Sequence, residues 1–377
     1  MKKITISYIA IGCIIIFSSC SRSKFVHESV SDRMSCDELN GTWYNGQCWD
    51  FEDIGYETMD IEAYVDDAKL QIARSKVTYD GTDYPIHNAV IDFPEDQKQV
   101  LLIITFQVET SFLTMLFYAD SKLFNEVFES ENIAFIPAEG FLLPYNILDD
   151  SMGDATEEQA PIAETQAMVL QDGRNLKIDI DGRWLFDDDG QTKAFSTSFN
   201  ETVIGMGDSV LEIEGDAAYL SGILGVVAYM QIEDLIQNHP QIKTLVLTKS
   251  RGSVDDLINM HTGRMLRRNG FTTKVLSNSH IASGAVDLFS SGVRRIVEKG
   301  AKIGVHSWCC MKNLTAAKIP KEHPAHKHQL EYFTTMLGES VGTEFYYYTL
   351  ESAPYNGMYY MTDEEIQEWT LSTEFIK

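Results

Sequence analysis

The hydrophobic and polar residues follow two different patterns along the chain. Between about residues 58 and 204, short runs rich in β-branched and aromatic residues are broken by Asp-Gly turns, which is typical of β-strands. Acidic residues from Asp149 to Glu164 predict a solvated loop within this region. We therefore predict a smaller α+β or mostly β domain of unknown role over 58–204. Its predicted strands are Val77–Tyr84, Val90–Phe93, Val100–Val108, Phe112–Tyr118 and Leu176–Phe186.

After residue 205 the pattern alternates between strands and helices. This alternation predicts an α/β layer architecture over 205–377, in which the loops at the carboxyl ends of the strands carry the functional residues. The predicted strands are Val210–Glu214, Thr244–Thr248, Thr273–Leu276 and Lys302–His306, and the predicted helices are Ala217–Asn238, Ser253–Asn269 and Gly284–Ser291.

The first residues have the composition of an export signal. Lys2 and Lys3 precede the apolar run Ile4–Phe17, which is shorter than the ~20 residues that a membrane-spanning helix needs. The small residues directly before Cys20 resemble the lipobox of bacterial lipoproteins. An uncleaved anchor and an ordinary signal with a chance cysteine are the alternatives.

The lipobox resemblance implies that residues 1–19, including Cys13, are removed and that Cys20 is lipidated. Ser21 follows the cysteine and no acidic residue comes immediately after it. The resemblance therefore implies a protein anchored in the cell envelope of a Gram-negative bacterium, at the outer membrane and facing the periplasm. Two acyl chains suffice for stable anchoring without basic residues.

Residues 20–57 predict a tether followed by a disulfide-bonded hairpin. Cys36 and Cys48 flank two tight-turn signals, Asn40-Gly41 and Asn45-Gly46. In an exported protein such a pair predicts a disulfide bond, which would contribute about 3 kcal/mol by closing a short loop. Two free thiols are the alternative.

The charge balance restricts the partners. The chain has 56 acidic residues against 30 Lys and Arg, a formal net charge of -26. A surface this acidic repels phosphate backbones, so we expect no nucleic-acid partner. With 44% hydrophobic residues the chain is too apolar to be a disordered polyelectrolyte. Membrane contact is expected only through the lipid on Cys20.

Three strand-end loops carry residues suited to nucleophilic hydrolysis. They are Leu247–Val254, Ser279–Ala285 and Ile303–His306. Nucleophilic hydrolysis needs an exposed serine hydroxyl at the start of a helix, a base within reach, and backbone N–H groups directed at the oxyanion. The three loops contain these parts in this order, although a lone serine at a helix start is usually an N-cap.

This order and spacing resemble the proteolytic subunit of the Clp protease and its periplasmic relatives, in the ClpP/crotonase superfamily, over about residues 205–377. The resemblance implies a ββα spiral domain with Ser283 as nucleophile and His306 as general base. It also implies an oxyanion hole formed by the backbone N–H groups of Gly252 and Gly284. Arg251 occupies the place of the family's first glycine, as an alternative donor.

The third catalytic residue differs from the family's pattern. Asn356 and Gly357 stand where a carboxylate is expected, so Asn356 or the upstream Glu351 is the candidate for orienting His306. Thr362 begins a predicted capping box at the start of the terminal helix.

Two further groups of residues lie near the candidate catalytic loops. Cys309 and Cys310 follow His306, and burial, a strained vicinal disulfide and a redox role are all open for them. His323, His326 and His328 have a spacing that suits a transition metal, but a solvated loop is the favoured interpretation, and we predict no metal.

The sequence therefore predicts an exported, lipid-anchored ClpP-like serine hydrolase, most plausibly a peptidase that acts on a peptide or protein. No cofactor is implied. The family forms rings or trimers, which implies a homo-oligomer unless the N-terminal domain and the lipid anchor prevent it. One alternative is a catalytically silent binding or scaffold lipoprotein with the same fold. Another is a crotonase-type enzyme that acts on a thioester.

Overall fold

The computed structural model describes only part of the 377-residue chain. The chain divides into two compact units, one with the described residues between Lys69 and Gly207 and the other with those of 17–68 and 208–377. Among the residues described, no helix is long and apolar enough to cross a membrane. The described residues are 26–27, 42–44, 47–49, 61–92, 99–108, 111–120, 134–146, 151–152, 162–172, 175–185, 192–308, 316–355 and 357–377.

The first unit is built on one antiparallel sheet of nine strands, in the order β10-β11-β12-β4-β5-β6-β7-β8-β9, and β10 also pairs with β8. Helix α1 (Ile61–Arg74) precedes this sheet in the chain and α2 (Glu201–Ile204) follows it. The strands are β4 (Lys76–Tyr79), β5 (Thr82–Asp92), β6 (Gln99–Val108), β7 (Ser111–Asp120), β8 (Ala134–Asn146), β9 (Ser151–Met152), β10 (Ile162–Asp172), β11 (Asn175–Leu185) and β12 (Thr192–Asn200).

Alternate residues of these strands form the described core of the first unit, for example Ile104 and Phe106 on β6 and Ile178 and Ile180 on β11. This period of two is the expected consequence of side chains pointing to opposite faces of a sheet. The mostly β prediction is therefore confirmed. The core also holds a buried pair of hydroxyls, because Thr105 on β6 lies opposite Thr114 on β7 and their Oγ1 atoms are 3.0 Å apart.

Two predictions for the first unit were wrong in detail. Val77–Tyr84 is not one strand, because Asp80 (φ 49°) and Gly81 (φ 77°) form a turn between β4 and β5. Positive φ at two consecutive residues is the geometry of a type I′ hairpin turn. The segment predicted as a loop from Asp149 to Glu164 contains β9 and the start of β10, since antiparallel pairing outweighs its acidic composition.

Three short strands near the N-terminus form a separate sheet. They are β1 (Val26–His27), β2 (Thr42–Tyr44) and β3 (Gln47–Trp49). Tyr44 pairs with Gln47, so the hairpin predicted from Asn45-Gly46 is confirmed. Cys13, Cys20, Cys36 and the side chain of Cys48 lie outside the described residues, so the signal peptide, the lipidation and the disulfide stay predictions.

The second unit is a mixed α/β layer structure. Its strands form one connected sheet in which β14 to β18 run parallel, and antiparallel strands extend it at β13 and β19. Its elements are β13 (Val210–Glu214), β14 (Ala217–Ser221), α3 (Val226–Asn238), β15 (Thr244–Ser250), α4 (Asp256–Arg268), β16 (Thr272–Ala282), α5 (Gly284–Ser290), β17 (Arg294–Glu298), β18 (Lys302–Val305), α6 (Lys327–Leu337), α7 (Glu339–Ser352), β19 (Tyr359–Tyr360), α8 (Asp363–Glu368) and β20 (Glu374–Ile376).

The parallel strands repeat in a spiral. The first half of β16 pairs with β15 and β17 through residues 272–275, whereas its second half pairs with β15 and β18 through residues 280–282. Each turn of the chain thus contributes two strand segments and one helix. This arrangement confirms the predicted ββα spiral and brings the ends of β15, β16 and β18 together.

One helix prediction in this unit was wrong. Ala217–Asn238 is not a continuous helix, because its first residues form β14 and α3 begins only at Val226. Gly222 (φ 85°) ends the strand, and a Cβ there would lie 2.8 Å from the carbonyl oxygen of Asp208. The capping box at Thr362 is confirmed, since Thr362 and Glu365 exchange both hydrogen bonds of the motif.

Candidate active site

Ser283 lies between the end of β16 and the start of α5. Its backbone has φ 54° and ψ −131°, a region that is essentially restricted to glycine, and its side chain makes no N-cap hydrogen bond to the helix. Its N–H donates instead to the carbonyl of Gly304 at 3.0 Å. The side chain of Ser283 therefore does not cap the helix. Ser283 is half-buried and lines a cleft.

His306 follows the last residue of β18 and lines the same cleft. Its Nδ1 lies 3.0 Å from the carbonyl oxygen of Tyr355. Because a carbonyl can only accept, Nδ1 carries the proton and Nε2 keeps its lone pair. Among the residues described, no hydrogen bond joins Ser283 to His306. Candidate bases are often loosely placed when no substrate is bound.

Glycines allow the two neighbouring loops to approach Ser283 closely. Gly252 has φ +143°, and a Cβ there would lie 3.0 Å from the Cβ of Ser283. A Cβ on Gly284 would lie 2.1 Å from the Oγ of Ser253. Within the described part of the chain, neither the N–H of Gly252 nor that of Gly284 donates a backbone hydrogen bond outside regular helices and strands. Of the two glycines, Gly284 lines the cleft.

Arg251 and Glu351, two further candidates from the sequence analysis, have exposed side chains. Glu351 pairs with Lys321 at 3.9 Å, while the Nδ1 of His306 bonds to a backbone carbonyl. Asn356, Cys309 and Cys310 lie outside the described residues.

The cleft has a volume of about 420 Å³, including open solvent at its mouth. Besides Ser283 and His306, it is lined by two carboxylates that the sequence analysis did not identify, Asp256 and Asp287. Asp256 begins α4 and accepts a 2.6 Å hydrogen bond from Ser253. The rest of the lining comprises Gly284, Val286, Val305, Trp308, Gln329, Phe333 and Thr349.

Burial shifts the pKa values of the three titratable groups that line the cleft among the residues described. Burial lowers the pKa of His306, although the Tyr355 carbonyl and the Asp256 carboxylate act in the opposite direction. Burial raises the pKa of Asp256, against the hydrogen bond from Ser253. Burial and the neighbouring Asp256 charge raise the pKa of Asp287 well above its ordinary value. Shifted pKa values grouped in one cleft are typical of functional sites.

The histidines beyond the cleft are part of the core. His323 and His326 are only 5% and 1% exposed, so the solvated-loop prediction was wrong for them. The Nδ1 of His326 lies 2.7 Å from the hydroxyl of Tyr346, which in turn accepts from Trp308 at 3.0 Å. Within the described part of the chain, no group of three or more His, Cys, Asp or Glu residues is placed to hold a metal.

The chain matches no known family profile and no curated protein sequence. It is similar to solved enoyl-CoA hydratases from Geobacillus kaustophilus HTA426 and Bacillus halodurans, at 14% and 16% identity, both with a TM-score of 0.30. Each covers 45% of this chain, which spans 67% and 73% of theirs. A structure of Pseudomonas aeruginosa DspI has 14% identity and a TM-score of 0.32, with coverage of 45% and 73%.

Proposed function

We propose that the second unit is a serine hydrolase that cleaves the acyl bonds of peptides, with Ser283 as nucleophile and His306 as general base. The observation that carries the proposal is the backbone of Ser283 at φ 54° and ψ −131°. Holding a non-glycine residue there costs on the order of 1–3 kcal/mol, and such strain is concentrated at active sites. The conformation projects the hydroxyl into the cleft that His306 lines.

The proposed reaction begins with attack of the Ser283 Oγ on the substrate carbonyl carbon. The hydroxyl proton passes to the Nε2 of His306, and the carbonyl oxygen becomes an oxyanion near the N–H groups of Gly252 and Gly284. His306 then protonates the leaving group as the carbon–leaving-group bond breaks. Water hydrolyses the acyl-enzyme by the same steps and restores the Ser283 hydroxyl.

Two neighbours would assist His306 in this mechanism. The carbonyl of Tyr355 fixes the ring and its tautomer through Nδ1, as the third member of a catalytic triad does. The Asp256 carboxylate raises the pKa of His306, so its negative charge would stabilise the imidazolium that forms after proton transfer.

Labelling with a fluorophosphonate tests the proposal. We expect the probe to label the intact chain and Ser283→Ala to abolish the labelling, because the hydroxyl is the attacking group. Ser340→Ala is the matched control, since Ser340 is an exposed serine on α7. Equal labelling of Ser283→Ala and Ser340→Ala would refute the proposal. An unlabelled but folded wild-type protein would favour a catalytically silent fold.

The two carboxylates favour one second candidate function. Asp256 and Asp287 in the cleft could transfer protons to and from a thioester substrate whose carbonyl is polarised by the N–H groups of Gly252 and Gly284. This candidate predicts turnover of an acyl thioester that Ser283→Ala leaves intact and that Asp287→Asn abolishes. Fluorophosphonate labelling of Ser283 would favour the hydrolase instead.

A further inference from the structure

Asp287 is a buried carboxylate that lines the cleft and has no counterion among the residues described. It is 7% exposed, lies in the first turn of α5, and lines the cleft together with Ser283, which directly precedes that helix. Within the described part of the chain, its carboxylate has no side-chain hydrogen bond or ion pair. Asp256, in contrast, is bonded to Ser253.

The backbone of Asp287 is held firmly. Its carbonyl oxygen accepts hydrogen bonds from Tyr332 at 2.8 Å and from Ser290 at 2.6 Å. A Cβ on Gly263 would lie 2.0 Å from the Tyr332 hydroxyl, so this glycine makes room for the tyrosine. The backbone that carries the carboxylate is therefore held by the packing of α4, α5 and α6.

Among the residues described, the cleft is lined by no cationic side chain that could neutralise a carboxylate. In the described part of the chain no Lys or Arg lines the cleft, and its titratable groups are Asp256, Asp287 and His306. A buried carboxylate without a counterion is costly in its charged form, so it gains stability from any cation that enters. Trp308 and Phe333 also line the cleft, and aromatic side chains attract ammonium and guanidinium groups and can cover an alkyl stem.

We propose that Asp287 makes the cleft selective for substrates that carry a cationic side chain, of the Lys or Arg type, next to the scissile carbonyl. The ammonium or guanidinium group would pair with the Asp287 carboxylate, while the alkyl stem lies against Trp308 and Phe333. The inference rests on the proposed hydrolase function, because it assigns the substrate class of the same cleft. Asp287 acts in it as a specificity-determining residue.

A pair of phosphonate diphenyl esters tests the selectivity. One carries a 4-aminobutyl group and the other a butyl group, and each phosphonylates a serine oxygen with release of phenol. We expect the cationic probe to label Ser283 at least ~10-fold faster, because the uncharged probe leaves Asp287 unpaired. In Asp287→Asn the ratio of the two rates should fall to about one. Asp256→Asn is the matched control, which removes a carboxylate from the same cleft and should keep a clear preference for the cationic probe.

Three results of this experiment would overturn the inference. The first is labelling of wild-type Ser283 without preference for the cationic probe. The second is a preference that survives in folded Asp287→Asn. The third is a preference lost only in Asp256→Asn, which would assign the cation to the other carboxylate.

Binding to Ser283→Ala separates this inference from the proposed function. We expect saturation-transfer NMR to detect n-butylammonium, but not n-butanol, on this variant, since the cation site does not need the hydroxyl. Detection without fluorophosphonate labelling of wild type would refute the hydrolase and keep the cation site. Labelling without detection, or equal detection of both compounds, would refute the cation site. This measurement also decides the question if Asp287→Asn fails to fold.

Discussion

The two units differ in the kinds of polar side chain that they bury. In the first unit the buried polar side chains among the described residues are hydroxyls, such as Thr105 and Thr114, which bond to each other, and Thr197, which donates to a backbone carbonyl. In the second unit the buried groups include carboxylates, such as Asp255 and Asp287. A hydroxyl is satisfied by one neighbour, whereas a carboxylate needs several partners or loses its charge.

Backbone strain follows the same division. Asp80, in the first unit, has φ 49° in a hairpin turn, where positive φ is ordinary for Asp. Ser283, in the second unit, has a similar φ but an unusual ψ and makes no compensating cap. The comparison teaches that Ser283 combines an unusual backbone with a place in a cleft, a combination that is typical of active sites.

Substitution of alanine for a glycine of positive φ in each unit should give the largest difference between the units in the rate of fluorophosphonate labelling. Gly252→Ala should lower the rate of fluorophosphonate labelling by ~100-fold or more, the loss typical of a damaged oxyanion hole, because its Cβ would press on Ser283. Gly81→Ala, in the β4–β5 turn, has nothing within 4 Å of the new Cβ. It should cost about 1 kcal/mol of unfolding free energy and leave labelling unchanged. Normal labelling of Gly252→Ala would show that the close approach to Ser283 has no catalytic purpose.

Glycine at Ser283 and at Asp80, two of the non-glycine residues with positive φ, should change the free energy of unfolding by a smaller amount. Ser283→Gly should unfold with a free energy about 1 kcal/mol higher than Ser283→Ala, because relief of ~1–3 kcal/mol of strain exceeds the entropy cost of glycine, ~0.5–1 kcal/mol. Urea unfolding measures the difference. Asp80→Gly compared with Asp80→Asn is the control in the first unit, where we expect little change, since both Gly and Asn tolerate this φ. A Ser283→Gly variant no more stable than Ser283→Ala would mean that the serine is unstrained.

The pH dependence of labelling should report the environment of His306. Burial lowers the pKa of this imidazole, so it stays neutral below the ordinary histidine value of about 6.5. Labelling needs the neutral base, and we expect its rate to fall on the acid side with a midpoint below that value. Asp256→Asn should move the midpoint to still lower pH, because the carboxylate raises the pKa of His306. A midpoint above 6.5, or a shift of the opposite sign with the protein still folded by circular dichroism, would contradict this description.

The sequence predicted those parts of the second unit that depend on local pattern. Strand, small-residue turn and helix follow one another at Ser283, and the ββα spiral brings this turn to Gly252 and His306. The helix predicted over Ala217–Asn238 failed because apolar spacing alone does not distinguish a buried strand from a helix. Gly222 and Gly225 were the signals that could have separated the two elements.

The two cleft carboxylates were missed for a different reason. Acidic residues on helices are usually solvated, and nothing in the spacing of Asp256 relative to Asp287 shows that α4 and α5 present them to one cleft. The one available signal was the position of Asp287 within the apolar helix Gly284–Ser290. The partner of His306 could not be predicted at all, because it is a backbone carbonyl, which every residue possesses.

The hydrogen bond from the Ser283 N–H to the Gly304 carbonyl also has a mechanical consequence. Gly304 lies on β18, two residues before His306, so the candidate nucleophile is attached to the same short strand that carries the candidate base. A displacement of β18 would therefore carry both residues in the same direction and preserve their separation. Ser283 and His306 would then move as one body relative to α4, α6 and α7, helices that also line the cleft.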